Sequence, residues 1–536
     1  MKRLLLLLAS AAALWTAACN GGGGTVVPPP PPPGPFGLNS LNGTYAFVTN
    51  GEVFNGAAVT PLARVGSFTA NGTGGITGGV EDVNSAGATG LATPITGGSY
   101  TVTGDGRGTL TLNLNSPGGA TSINFAIVLT SNTDGLMIDE TSTNTQTSTG
   151  SGNFVLQTGG PFTVASASGP YVFDFSGLDG TGAPDSIVGE FNASGGVITA
   201  GVQDENDNGN IPATPTPVSF TGVLAADPLD PNGAADLSNF GRGIATLNGI
   251  NYVFYLVGGN RIRFLSTTGG EMLAGDAVAQ NNTIPANTAA LNTSFVLIVS
   301  GSSGAGGVTR VGRFTAHGAS VTNVILDTNN AGVFHLTGGT GGGGAVTGAS
   351  ISLDAVNPGR GVVTFKDPTL AVPFTFVFYL SSASNGVIQD VSQGNQGATD
   401  VADGSLAAQT SGPFSSTNIA GTYALNWSGL SVQNGVADEE DFVGQATISN
   451  LGLTGAADTF QFQNGIVTDL VVGGSITAGG DGTGSGGARN TMSVKLTKNG
   501  SSTVNFVVYV ANPGLAFFAN NQGATRVVAG ILKLQQ

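Results

Sequence analysis

Four landmarks recur in the same order along this chain, about 125 residues apart, and a period that long describes a whole domain, not the short unit of a solenoid. Each copy opens with a proline followed by an aromatic residue: Pro35 and Tyr45, Pro161 and Tyr171, Pro285 and Phe295, Pro413 and Tyr423. These aromatics stand 126, 124 and 128 residues apart. A second block reads Arg64-Val65-Gly66-Ser67-Phe68, Ile187-Val188-Gly189-Glu190-Phe191, Arg310-Val311-Gly312-Arg313-Phe314 and, degraded, Phe442-Val443-Gly444-Gln445-Ala446. A third, Gly106-Arg107-Gly108, returns as Gly241-Arg242-Gly243 and Gly359-Arg360-Gly361 and is lost in the last copy. The copies close at Gln157, Gln280, Gln409 and Gln535, which divides the chain into modules 35–157, 158–280, 281–409 and 410–536.

In the first copy, eight short strands are expected near 43–49, 63–70, 75–83, 97–103, 108–115, 122–130, 135–140 and 152–157. Turn signals such as Asn71-Gly72, Asp105-Gly106 and Asp134-Gly135 separate them, so successive strands form an antiparallel meander. The fold class is therefore all-β: about four tandem eight-stranded modules, each a small up-and-down barrel or, alternatively, a two-layer sandwich. Closure favours the barrel because it removes exposed edges.

One strand is apolar on both faces. Its inward phase reads Ile123, Phe125, Ile127, Leu129 in the first copy and Phe374, Phe376, Phe378, Leu380 in the third. The opposite phase carries Ala126 and Val128, Val253 and Tyr255, Val377 and Tyr379, Val507 and Tyr509. A strand covered on both sides predicts that neighbouring modules pack into one array.

At the N-terminus, Lys2 and Arg3 precede an apolar run from Leu4 to Leu14, and Ala17 and Ala18 precede Cys19. A run of that length is too short to span a bilayer, which needs about 20 residues, and fits a signal peptide over 1–18. The segment Thr16-Ala17-Ala18-Cys19 resembles the lipobox of bacterial lipoproteins processed by signal peptidase II, with Thr16 where that family usually has Leu. The resemblance implies a lipid on Cys19, an exported protein and a place at the outer membrane or cell surface. The alternative fate is cleavage by an ordinary signal peptidase at the same triplet. Cys19 is the single cysteine of 536 residues, so no disulfide forms within the chain. Residues 19–34 add Gly21 to Gly24 and Pro28 to Pro33, a flexible joint followed by a stiff polyproline rod.

Charged residues make up 9% of the chain, against about 25% in ordinary soluble domains, and 88 residues are glycine. Without Lys2 and Arg3, 14 basic side chains face 32 acidic ones. No basic cluster exists, which argues against a nucleic-acid partner. The partners expected are the membrane, through the lipid, and glycans or other envelope components.

Catalytic chemistry is thin. His317 and His335 occur in one copy only, without a nucleophile elbow or a metal-spaced partner. The acidic run from Asp438 to Asp441 reads as a solvated loop. Asp204-x-Asn206-x-Asn208-Gly209 matches the first half of an EF-hand loop, but Pro215 occupies the closing position, so a recurring Asx turn shared with Asp82-x-Asn84 and Asp327-x-Asn329 is the stronger reading. Arg107, Arg242 and Arg360 are candidate ligand-binding residues, each expected either to point into a barrel mouth and grip an anion or to pair with a carboxylate. No cofactor is expected. The sequence thus favours a non-catalytic envelope lipoprotein with a structural, adhesive or glycan- or small-ligand-binding role. A secreted, carboxylate-dependent glycosidase is the alternative. An outer-membrane β-barrel is a third possibility, disfavoured by strands of 6 to 8 residues where membrane barrels need about 9 to 11.

Overall fold

Alternation of apolar and small polar residues dictates strands, and in the computed structural model about three quarters of the described residues are strand. The described residues are 36–55, 58–116, 119–142, 147–227, 236–338, 346–370, 373–392, 400–410, 419–433, 436–461, 465–478, 489–498, 500–521 and 526–536. Cys19 and the Gly/Pro-rich segment lie outside them.

The first module consists of β1 (Asn42–Asn55), β2 (Ala58–Asn71), β3 (Gly75–Ser85), β4 (Ala88–Tyr100), β5 (Arg107–Ser116), β6 (Gly119–Ser131), β7 (Asp134–Asp139) and β8 (Thr147–Leu156). Each strand pairs antiparallel with the next, and β1 pairs with β8, so the sheet closes into an up-and-down barrel. The second and fourth modules are closed barrels of eight strands by the same rule. In the third, strands Gly306–His317 and Ser320–Asn330 pair, and a single Ser320–Ser350 contact completes the ring, with Val333–Thr337 as an added ninth strand.

The strands outrun the lengths expected from sequence. β1 and β2 have 14 residues each because Asn50-Gly51, which looks like a turn, stays paired. A Cβ on Gly51 would sit 2.2 Å from the Thr149 carbonyl oxygen, so the glycine there allows close approach of β8. Strand length therefore no longer separates these barrels from membrane barrels, but the polarity does. The interior of barrel one holds Tyr45, Phe47, Phe68, Phe125, Ile127 and Phe154, whereas Thr77, Thr101 and Thr109 face outward, the inverse of a membrane barrel with a wet lumen.

The Gly-Arg-Gly landmark now has a physical account. Gly106, Gly241 and Gly359 adopt φ of +85°, +72° and +93°, a left-handed turn that favours glycine. Across the ladder, the Phe254 ring lies over Gly243 and the Phe378 ring over Gly361, so close that a Cβ would meet the ring at 2.3 Å and 2.2 Å. Val508 replaces that ring in the fourth barrel, and Asn490 fits where the second glycine was required.

The four barrels stand side by side with the same polarity. The near end is where the chain enters each barrel, at Phe36 in the first and Phe162 in the second; the far end carries the hairpins that include Ser85–Ala88. Apolar clusters fill every junction. Val253 and Tyr255 pack on Ala46, Val65 and Val80; Val377 and Tyr379 on Val172 and Val188; Val507 and Tyr509 on Val296 and Val311. Barrel four returns to barrel one, with Ala424 and Val443 against Ala126 and Val128, so the array is a closed ring. Burying one Tyr and one Val at a junction contributes on the order of a few kcal/mol.

Candidate functional site

The doubly apolar strand brings its tyrosine to the edge of the next barrel, and a buried polar triad forms there. Asp82 of barrel one accepts two bonds from Arg242 of barrel two, Nε at 2.8 Å and Nη2 at 2.7 Å, and a third from the Tyr255 hydroxyl at 2.6 Å. Asp204 repeats this with Arg360, at 2.8 and 2.7 Å, and Tyr379, at 2.6 Å. Asp327 repeats it with Arg489, at 2.8 and 2.9 Å, and Tyr509, at 2.5 Å. Bidentate guanidinium–carboxylate geometry is strong and directional. Burial works to lower the basicity of Arg242, but the Asp82 bonds outweigh it and hold the group above its ordinary value. Burial, reinforced by Asp82, pushes the Tyr255 hydroxyl well up, so it stays a proton donor.

Two residues beyond each aspartate, an asparagine clasps the same neighbour. Asn84 Nδ2 donates to the carbonyls of Ser266 and Glu271, Asn206 to those of Asp390 and Asp400, and Asn329 to those of Asn520 and Arg526. The Oδ1 atoms of these residues accept from Gly87, Gly209 and Gly332, so the Asx turn read from the sequence is present as well. Of the calcium-like set, Asp204 and Asn206 are thus committed to barrel three, and Asn208 sits in the turn with φ of +49°. Arg242 and Arg360 do not point into a barrel mouth; each side chain lies between barrels, saturated by carboxylates. Arg107 pairs with Asp105 at 3.0 Å and reaches Asp458 of barrel four at 3.6 Å. At that fourth junction Val128 holds the place of the tyrosine and Phe460 that of the asparagine.

Sequence reasoning missed Arg489, because it lacks the flanking glycines, and missed Asp82, Asp204 and Asp327 as ion-pair partners. It also missed the closing glutamines as clasps. Gln157 Nε2 donates to the Phe240 and Leu256 carbonyls, Gln280 to Leu380, Gln409 to Val510, and Gln535 to Leu129 and Asp105. Their recurrence was the available signal.

The acidic run is not a solvated loop. Glu439, Glu440 and Asp441 are buried in strand Val436–Ser449, with Asp441 accepting from Thr149 of barrel one and Glu440 held by Arg526 at 2.7 Å. His335 meets Asp367 at 3.2 Å and His317 meets Asn292 at 2.7 Å.

Outside the filled barrels, a groove of about 910 Å³ runs between barrels two and three. Asn192, Thr199, Asn248, Gln280 and Asn357 line it, and Glu190 is its one carboxylate among the described residues. Burial pushes Glu190 up to about 7, although Gln280 Nε2, at 2.9 Å, pulls it down.

No protein-family model matches this sequence, and no curated protein matches it either. Among solved structures, the isotype 1 transferrin binding protein B from serogroup B Neisseria meningitidis aligns at 10% identity over 75% of this chain and 84% of that one, with a TM-score of 0.21. A mutant transferrin binding protein B from Haemophilus parasuis aligns at 10% identity over 75% and 83%, with a TM-score of 0.18. The FrpB iron transporter of Neisseria meningitidis aligns at 8% over 93% and 83%, with a TM-score of 0.13. Likenesses of this size say nothing of what this chain binds.

Proposed function

We propose that this chain is a non-catalytic cell-envelope protein, tethered through Cys19 and the proline rod, whose ring of four barrels is a rigid platform for binding glycans or similar polar envelope ligands on its outer surface. One observation carries the reading: the barrel interiors are filled by aromatic cores, while a 910 Å³ groove that sets the amides of Asn192, Asn248, Gln280 and Asn357 beside apolar Pro170, Val356 and Pro358 lies open between two of them. Amide and hydroxyl side chains match the donors and acceptors of a sugar. A paired-carboxylate hydrolase would need a second acid free to face Glu190 across that groove; the nearby Asp354 is engaged by the backbone amides of Val356 and Asn357 and lies 3.6 Å from Arg360.

A glycan array with the purified mature chain tests the reading. The expected result is saturable binding of a neutral glycan that Asn192→Ala and Asn248→Ala weaken, with the glycan recovered intact. Cleavage of the bound glycan, or binding untouched by both substitutions, defeats it. The tether is tested by intact mass of the native N-terminus. A diacylglycerol-bearing Cys19, and release from membranes by Cys19→Ser, are expected.

A further inference from the structure

Three of the four barrels carry a cation in their own lumen near the far end. In barrel one, inward-facing Arg64 meets Glu81 at 2.7 Å and Asp139 at 3.3 Å. In barrel three, Arg310 meets Asp390 at 2.8 Å and Asp400 at 2.6 Å, with its guanidinium 5.6 Å from the centre of the Phe374 ring. In barrel four, Arg526 of the last strand meets Glu440 at 2.7 Å.

Barrel two departs from this pattern. Ile187 stands in the place of Arg64 and Arg310, and at the two positions that hold Glu440 and Arg526 in barrel four it carries Asp185 and Glu271, both acids. The three basic residues of that module, Arg242, Arg261 and Arg263, all lie elsewhere: Arg242 is on Asp82, Arg261 lies 3.7 Å from Asp276, and Arg263 is on Asn153 of barrel one. Strand alternation turns Asp179, Asp185, Glu205, Asp207 and Glu271 toward the lumen, in phase with Phe175, Ile187 and Leu273 of the core.

Asp185 is 5% exposed, and its Oδ1 is buried with no hydrogen-bond partner. The remaining acids are half-buried around it, so the mouth descends from open to enclosed. Asp179 accepts from the backbone of Thr181 and Ala183 and from the Thr181 hydroxyl, and Glu205 accepts from Gln203 at 3.2 Å. Below them Tyr252 packs against Phe175 and Phe264, with ring centres 5.2 and 5.9 Å apart. Burial, and then Glu205, Asp207 and Asp179, push Asp185 up to about 8; Glu205 and Asp207 are raised by the same causes. An uncompensated carboxylate mouth above aromatic rings suits a planar organic cation. No three acidic or His side chains among the described residues converge to ligate a metal directly.

We infer that the far mouth of barrel two binds a guanidinium-bearing ligand from outside, filling the place that an internal arginine fills in the sister barrels. This site is separate from the groove and stands whether or not a glycan binds there.

The experiment is calorimetric titration of the mature chain with argininamide, repeated in two buffers of different ionisation enthalpy, with calcium as a second titrant. Wild-type protein is expected to bind argininamide saturably and to release a proton as Asp185 ionises. Asp185→Asn and Glu271→Gln each weaken binding about tenfold or more, the scale of a charge-assisted bond. Ile187→Arg supplies its own guanidinium, abolishes binding and melts no lower than wild type. If Ile187→Arg does not fold, the two neutralising variants decide. Absence of saturable binding, equal binding by the neutralising variants, or uptake of calcium in place of argininamide overturns the inference.

Discussion

Asp82 and Arg242 are 160 residues apart in sequence, yet meet in a bidentate pair across the first junction, with side chains 0% and 1% exposed. A pair so deeply buried contributes little over an apolar replacement but is costly to break on one side. Asp82→Asn alone is therefore expected to lower stability by about 1 to 3 kcal/mol, because Arg242 loses its bidentate partner and keeps only Asp227 as a carboxylate. Asp82→Leu combined with Arg242→Met should recover part of that loss, the remainder being the cost to buried Asp227 of losing the same guanidinium. Urea midpoints of the single and double variants measure the coupling; additive losses would show that the two residues act independently.

Stability should fall as pH rises from acid to mildly alkaline. Burial pushes Asp441 up to about 8, against the pull of the Thr149 hydroxyl, and pushes Asp403 up to about 6. In the unfolded chain these groups titrate near 4. Between about pH 4 and about pH 8 the folded state thus holds protons that the unfolded state has released, and stability declines through that window, levelling off above it. The decline attributable to Asp441 is on the order of a few kcal/mol, and Asp441→Asn should flatten it. Urea midpoints at about pH 5 and about pH 8.5 give the slope.

Tyr379→Ser should destabilise barrels two and three together. The residue belongs to one barrel but packs on Val172 and Val188 of the other and bonds Asp204 there. A loss of about 2 to 4 kcal/mol is expected from the truncated ring and the lost hydroxyl bond to Asp204, which Arg360 continues to hold. Hydrogen exchange should show amides on strands Gly169–Leu178 and Pro184–Ser194 losing protection along with those beside Tyr379. Protection lost only within residue 379's own barrel would mean the barrels are independent.

Chelation should leave the melting temperature unchanged, since Asp204 and Asn206 are already engaged by Arg360 and by two carbonyls of barrel three. A melting temperature lowered by EDTA and restored by calcium would contradict this.

The covered strand was legible in sequence because Val253 and Tyr255 make its second face apolar, and a period-2 pattern with both phases apolar admits few other readings. The Asp204-x-Asn206 turn was legible because an Asx turn is local. Its larger role was hidden, since Arg360 is 156 residues away and nothing in one sequence ties the two together. Arg489 was invisible for the opposite reason: Val508 stands where Phe254 and Phe378 lie over a glycine, Asn490 fits beside it, and the motif that would have marked the arginine is gone. Strand lengths were underestimated at Asn50-Gly51 because the residues that end a strand in isolation also let two strands approach closely in a barrel.

The fourth junction keeps the arginine, at 3.6 Å from Asp458, but has Val128 where its counterparts have tyrosine and Phe460 where they have asparagine. It is also the junction where the two ends of the described chain meet, with Phe36 and Gln535 both packed against Gly106. The molecule is accordingly a split washer: three joints are riveted through a continuous polypeptide, and the fourth is a latch that is not spanned by chain. Synthesis runs from barrel one to barrel four, so the carbonyls of Leu129 and Thr130 are made well before Gln535 and Gln536, which fasten this joint only once the chain of all four barrels is in place.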